Sequence, residues 1–255
     1  MESQSDRRSK KSSSADDRLK LIISSNLYSF GKPSRVGNEI LPLTAKSLIY
    51  PCTKKGRVRA DLEQTALAAH SRGEINVAIV RASDFYGPGV IDSALGERFF
   101  GALVKGKAGV LLGKDVPHSY AFISDYGETM AILGTKGNSK QFGRSWIVPH
   151  GPPLSPSEIG LKLEPLTNGP VIKNMGGAML RFGGLFVPAA KEMIEMLYEF
   201  NEPFTVDSGE TESVFGIRPT PFDKGFHDTI EWYRDRSSSG RMGEKNERTA
   251  PKKAS

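Results

Sequence analysis

Lys55 and Arg59 stand four residues apart in the run Pro51-Cys52-Thr53-Lys54-Lys55-Gly56-Arg57-Val58-Arg59-Ala60-Asp61-Leu62-Glu63. On a helix that spacing stacks both cations on one face, one turn from each other. Such a pair can hold negative charge developing on a bound oxygen, although an ammonium beside a second cation is a poor relay for protons. A literal Tyr-x-x-x-Lys lies one register earlier, at Tyr50 and Lys54. Pro51 belongs to the first helical turn, which leaves Tyr50 at the cap rather than one turn below Lys54. For either register the alternative is a basic, solvated helix face without chemistry. Cys52, the only cysteine, sits at the helix start, where a thiol is more readily ionised, but nothing else in the sequence supports a redox role.

The elements that must position these residues follow from punctuation and apolar runs. Leu19 to Ser25 is a short buried strand, and residues 26–50 are loop-rich, with Gly31, Pro33, Gly37 and Pro42. A helix over about 51–72 follows, with Val58, Leu62, Thr65, Ala66 and Ala69 as its inward stripe and Gly73 as its stop. Asn76 to Arg81 is a second buried strand, ending at the turn-forming loop Asp84-Phe85-Tyr86-Gly87-Pro88-Gly89. Beyond it the pattern predicts a helix over 94–106, two short strands within 109–123, a helix over 125–135 capped by Asp125, and a strand at Ser145 to Val148. Ser155-Pro156-Ser157-Glu158 has capping-box spacing. Pro188 opens an amphipathic helix with a stripe of Ala189, Met193, Ile194, Met196, Leu197 and Phe200, and Phe222 to Tyr233 is the last helix. Alternating strands and helices predict an α/β layered fold with parallel pairing.

Charge is concentrated at the ends. Residues 1–20 carry six Lys/Arg against four Asp/Glu and residues 234–255 seven against three, while 21–233 balances at 22 and 22. The sequence pI near 9.3 therefore describes two tails. Their Ser/Lys/Arg-rich composition predicts disorder over 1–18 and 236–255, around a first domain over 19–150 and a C-terminal region over 151–235. Neither basic run is interleaved with aromatics, so nucleic-acid binding is not expected. One cysteine permits no internal disulfide, and no signal peptide or membrane-length apolar run is present, so a cytoplasmic protein is expected.

Several segments together resemble the NAD-dependent epimerase/dehydratase family, the extended short-chain dehydrogenases/reductases. Its active-site helix reads approximately Pro-x-Ser-x-Tyr-Gly-x-Ser-Lys-x-x-x-Glu, matched here at Pro51, Thr53, Gly56 and Glu63, with Lys55 in the place of the catalytic Tyr and Arg59 in that of the Lys. Leu21 to Gly31 resembles the strand and loop carrying the family's Ser/Thr, a place that falls on Asn26 here. Arg81-Ala82-Ser83-Asp84-Phe85-Tyr86-Gly87-Pro88 is similar to the Arg-Pro-x-x-x-Tyr-Gly-Pro loop beside the nicotinamide, and Ser119 to Asp125 to a strand-to-helix step that usually starts with a diphosphate-holding Arg.

The resemblance implies an incomplete Rossmann-like parallel sheet with a mixed α/β C-terminal region. It implies NAD or NADP held by Ser24, Ser25, Lys55, Arg59 and Ser83 to Gly87, an unknown small-molecule substrate near Tyr28, His118 and Ser119, and a homodimer. Catalytic positions would be Asn26, Lys55 and Arg59, or alternatively Tyr50 and Lys54. The sequence contains no Gly-x-x-Gly-x-x-Gly pyrophosphate loop, and the strand near 20–25 is expected to form an exposed apolar edge. Gly101 to Lys107 approaches a phosphate loop but continues with Ala108, and His70, His118, His150 and His227 show no metal-ligand spacing. Two functional readings follow: an atypical epimerase/dehydratase-like enzyme, or a non-catalytic fragment or pseudoenzyme that binds a partner.

Overall fold

A computed structural model of the chain describes residues 18–33, 42–167, 172–176 and 194–249. Among them, strand β1 (Lys20–Asn26) leads through helix α1 (Lys54–Ser71) to β2 (Asn76–Ala82), and β2 pairs in parallel with β1 on one side and with β6 (Arg144–Ile147) on the other. Every residue of β2 is buried, which explains its unbroken apolar run: a central parallel strand is covered on both faces. The segment expected as a buried strand is instead largely open: β1 is, as the expected apolar edge implies, an edge strand among the described residues, with Ser25 its one buried residue and Leu21 41% exposed.

Alternation along the paired strands divides the two faces. Ser25 and Arg81, opposite each other in register, turn toward α1; Ser24 and Val80, one step back, turn toward α3 (Ile123–Lys136), whose Tyr126 hydroxyl donates to Ser24 Oγ at 2.6 Å. The sheet is thus layered between α1 and α3. Smaller parallel pairs join β3 (Asp84–Tyr86) to β5 (Tyr120–Phe122) and β4 (Gly109–Leu112) to β7 (Ile172–Met175). Phe99 and Phe100, in a π-helical turn over Gly96–Phe100 that runs into α2 (Gly101–Leu103), meet Tyr86, Phe222 and Phe226 in an aromatic core. That core also takes Ile159 and Leu163 from α4 (Pro156–Leu163), whose Ser155/Glu158 capping box forms as its spacing indicates.

Helix α1 departs from expectation in two ways. Thr53 accepts the Gly56 N–H at 2.9 Å and so caps the helix, which starts at Lys54 with Pro51 and Cys52 in the approach to it. The stripe of Val58, Leu62 and Thr65 points outward, with Val58 67% and Leu62 47% exposed. The inward face carries Gly56, Ala60, Glu63 and Ala66, small residues around one carboxylate, because the helix is held by charge. Glu63 is 3% exposed; it takes Arg81 Nε at 3.2 Å and Nη2 at 2.5 Å, and the Ser25 hydroxyl at 2.6 Å. Arg81 continues to Ser145 Oγ on β6 at 3.0 Å and lies over the Phe30 ring at 4.6 Å.

Other boundaries also shift. Asp125 does not cap α3; its carboxylate accepts the Thr220 N–H at 2.8 Å and hydroxyl at 2.6 Å, tying α3 to the chain ahead of the last helix. The helix expected over 94–106 is the π-helical turn and α2, and the last helix, α7 (Phe222–Thr249), runs past the expected end at Tyr233. Much of the amphipathic helix expected from Pro188 lies outside the described residues; Met196, Leu197 and Phe200 of its stripe are buried, the last within α5 (Tyr198–Asn201). Short α6 (Gly209–Phe215) follows.

Removing one member of a buried ion pair strands the other, at a cost of about 3–5 kcal/mol, whereas replacing both by apolar groups costs less. Glu63→Leu should therefore lower the urea unfolding free energy by about that amount, and adding Arg81→Met should recover part of it. Paired equilibrium unfolding curves check both.

Candidate functional site

The carboxyl ends of β1 and β2 frame a cavity of 180 Å³ lined by Asn26 at the end of β1 and Tyr28 beyond it, Ala82 at the end of β2, Ser83 next to it, Asp84 and Phe85 at the start of β3, and Glu199 and Phe204 from the C-terminal part. In open α/β sheets this end is where ligands bind. The volume is below the ~300–1,000 Å³ of pockets enclosing a whole drug-sized ligand, so it suits a single ring.

Local geometry builds the wall. Asn26 Oδ1 accepts the Tyr28 N–H at 3.1 Å, turning the chain so that Tyr28 lines the cavity. That turn sits directly on the first turn of α1, since a Cβ on Gly56 would meet Tyr28 O at 2.4 Å. Ser83 donates its N–H to His150 Nε2 at 3.2 Å, and its hydroxyl lies 3.1 Å from His118 Nε2. The same His118 nitrogen is 2.8 Å from Asp84 Oδ2, while Nδ1 is 3.2 Å from the Glu199 carbonyl, so both ring nitrogens face acceptors. Phe200 stacks on the His118 ring at 4.9 Å.

Burial sets the electrostatics. The Glu199 carboxyl is held well above the usual carboxylate range, first by burial and then by Asp84, against the Tyr198 hydroxyl that donates to it at 3.0 Å. Glu199 is accordingly a neutral acid beside an aspartate. Burial also raises the Tyr28 phenol, with Asp84 and Glu199 adding to the shift and Arg59 opposing it, so Tyr28 is a neutral donor. Burial pushes the His150 imidazole down to about 4; bonded through Nδ1 to the Val148 carbonyl, it is a neutral ring that accepts from Ser83.

Of the residues singled out in the sequence, the cavity gathers Asn26, Tyr28, Ser83, Asp84 and Phe85, with His118 behind them. Arg59, half-buried, acts on Tyr28 and Tyr126 from α1; Lys55 is exposed in the first helical turn and does not line the cavity. Tyr50 lies outside the helix and is 59% exposed, donating its N–H to Ser29 O, so it does not share a helix face with Lys54, whose own N–H bonds Glu195 Oε1 at 2.5 Å. Ser24 and Ser25 are engaged with Tyr126 and Glu63. Tyr86 is buried against Phe222 and Phe226, Gly87 makes a turn at φ 133° where a Cβ would lie 2.6 Å from Ile123, and Ser119 is fully buried, accepting the Val206 N–H at 3.2 Å. None of these three lines the cavity.

Sequence reasoning missed Glu199 and the role of His150. Glu199 was detectable: three residues after Met196, it falls on the apolar stripe, where a carboxylate is out of place. Nothing in the sequence links His150 to Ser83, 67 residues away. Among the described residues no group of three or more His, Cys, Asp or Glu could hold a metal, and no helix is long and apolar enough to cross a membrane.

The fold is that of sugar-nucleotide epimerase and dehydratase structures. A dTDP-glucose 4,6-dehydratase from Bacillus anthracis in complex with NAD superimposes with a TM-score of 0.64 at 17% identity, over 86% of this chain and 63% of that one. A UDP-glucuronic acid 4-epimerase from Bacillus cereus in complex with UDP-glucuronic acid and NAD gives 0.65 at 17%, over 85% and 62%. A dTDP-glucose 4,6-dehydratase from Streptomyces venezuelae gives 0.65 at 19%, over 86% and 61%. The chain thus spans somewhat over three fifths of these structures, and at such identities the likeness is one of fold. No family model matches the chain, and no curated protein matches it in sequence.

The two buried titrating groups oppose each other in their effect on stability. As pH falls below 6.5 the unfolded chain protonates at His150 while the folded chain does not until about pH 4, so stability is lost across that window, on the order of 3 kcal/mol in total. Glu199 acts in reverse: above 4.5 the unfolded chain releases a proton that the folded chain retains, so stability falls as pH rises. Glu199→Gln should therefore raise the urea midpoint more at pH 8 than at pH 5, as measured by denaturation at both values.

Proposed function

We propose that the chain is an atypical NAD(P)-dependent epimerase/dehydratase-like protein, with Lys55 and Arg59 in place of the family's Tyr and Lys. The observation that carries this reading is the cavity at the carboxyl ends of β1 and β2, framed by the residues that the family resemblance assigns to the nicotinamide end, Ser83 to Phe85, and by Asn26. Several solved structures that share the fold hold NAD, among them two that also hold UDP-glucuronic acid.

These residues fit one end of such a cofactor. The cavity has ring-sized room, an amide at Asn26, hydroxyls at Tyr28 and Ser83 and the Phe85 ring in its wall, and all of these suit an uncharged carboxamide-bearing ring. When bound, nicotinamide would supply or take a hydride. The chain's own residues would do the rest. Asn26 and Ser83 orient the ring, Arg59 beside Tyr28 supports negative charge developing on a substrate oxygen, and Lys55 at the start of α1 contacts the cofactor ribose.

The exposed pair Val58 and Leu62, one turn apart on the outer face of α1, is the surface on which we place a homodimer contact. Val58→Lys with Leu62→Lys should then shift the mass in multi-angle light scattering from dimer to monomer; an unchanged mass removes this assignment. A second reading, binding of a partner strand without catalysis, is favoured by the edge position of β1 with its exposed Leu21.

Calorimetric titration of NAD+ and NADP+ decides between the two. Micromolar binding of either is expected, and Lys55→Ala with Arg59→Ala should weaken it by about tenfold, the scale of losing charge-assisted hydrogen bonds. If neither nucleotide binds, the partner-strand reading replaces the enzymatic one.

A further inference from the structure

Three acids stand in the cavity wall, Asp84, Asp92 and Glu199, and among the described residues the wall has no lysine or arginine. Asp84 is answered by His118 Nε2 at 2.8 Å. Glu199 has no such answer: it is 3% exposed, the group bonded to its carboxyl is the Tyr198 hydroxyl at 3.0 Å, and among the described residues no cation acts on it. Its carboxyl lies toward the cavity, since it acts together with Asp84 on the Tyr28 phenol, another wall group. Around it the loop after β1 contributes Tyr28, with Arg59 of α1 beside that phenol, and β3 contributes Asp84. His118 meets the Glu199 carbonyl at 3.2 Å, and Cys52, ahead of α1, faces Tyr198. Burial and the Asp84 charge keep the proton on Glu199 as long as no cation faces it.

Resting on the cofactor reading above, we propose that this cavity distinguishes the oxidised nicotinamide ring from the reduced one by charge, and that Glu199 is the distinguishing group, releasing its proton to solvent as the oxidised ring enters. The oxidised ring is a cation and the reduced ring is neutral, while the carboxamide is common to both. Asn26, Tyr28 and Ser83 therefore serve either form, and the unpaired acid separates them. A cation in a cavity of 180 Å³ stabilises a carboxylate alongside it, because little water intervenes to screen the attraction. Protein and oxidised nucleotide then form a complex with a carboxylate beside the ring, and one proton leaves to bulk solvent. The Tyr198 hydroxyl, already bonded to Glu199, remains as a donor to that carboxylate. The reduced ring brings no charge, so Glu199 keeps its proton when that form binds. By reciprocity, raising the pH tightens the oxidised form and leaves the reduced form unchanged, until the free protein itself loses the Glu199 proton.

NAD+ and NADH carry the same diphosphate and ribose groups, so the pair isolates the ring. Each is titrated calorimetrically into the full chain at pH 6 and pH 7, in two buffers whose heats of ionisation differ, and the difference in observed heat counts the protons exchanged. NADP+ and NADPH replace them if the chain takes the phosphorylated nucleotide. The oxidised form should release up to one proton per site and the reduced form none. At pH 7 the oxidised form should bind about tenfold more tightly, as expected for one opposite-charge contact in a partly desolvated site. Glu199→Gln should abolish the release and lower the affinity ratio. Tyr198→Phe, which removes the donor to the carboxylate, should weaken the oxidised form more than the reduced one, a split that a merely structural role would not produce. No release by the parent chain at either pH, a release that persists in Glu199→Gln, or a reduced form bound as tightly as the oxidised one would overturn the inference while leaving the cofactor reading intact. Failure of all these nucleotides to bind would overturn the cofactor reading, and the inference with it. The parent chain's proton count and affinity ratio decide the matter even if neither variant folds.

Discussion

The bidentate contact of Arg81 with Glu63 is the constraint on which the rest of the molecule depends. A guanidinium on the central strand and a carboxylate on α1 are both removed from water, so each must find its partners inside the protein. Ser25 and Ser145 supply the remaining hydrogen bonds and carry the network into both neighbouring strands. Charge thereby fixes the rotation of α1 about its axis and draws a helix whose inner face is glycine and alanine against the sheet. With α1 set at that angle, Gly56 meets the Tyr28 backbone, and the loop after β1 can only pass across the carboxyl end of the sheet, where it forms the cavity wall. The fold and the site are therefore joined by one ion pair that touches no ligand.

Around the cavity the protein keeps two groups neutral that would be charged, wholly or in part, in water. His150 supports Ser83 with a lone pair, and Glu199 closes the opposite wall as an undissociated acid. Both protonation states are enforced by burial, and each costs stability on one side of the pH scale. Polar groups held out of water in this manner cost reorganisation during folding rather than at the moment a ligand arrives, which is the general advantage of a preorganised site.

The supersecondary order was legible from sequence because β2, covered on both faces, and the buried Trp146 and Ile147 of β6 read as apolar runs between glycine and proline breaks. The face of α1 was not legible, because apolar periodicity assumes that a helix is held by hydrophobic burial, whereas this one is held by Glu63. The same assumption hid Glu199, a carboxylate on an apolar stripe. The candidate site was half legible: Asn26, Tyr28, Ser83, Asp84 and Phe85 follow the ends of strands, where loops carry chemistry. Contacts such as His150 with Ser83 arise only when distant segments meet, and no local pattern encodes them. Glu63 and Arg81, which match the family pattern, act as scaffold, while the substituted positions lie in the first turns of α1 outside the cavity wall, Lys55 exposed and Arg59 half-buried.

The site is closed by contacts between residues far apart in the chain. Glu195 reaches back 141 residues to the first amide of α1, and the Glu199 carbonyl reaches back 81 residues to His118. Loops of that length must be closed before the contacts that reward closure can form, and folding slows as such contacts come to dominate. The β1–α1–β2 unit is short-range by comparison and is complete by residue 82. Strand and helix signals should therefore mature well before the cavity exists, and competence to bind a ligand should lag behind the recovery of secondary structure during refolding.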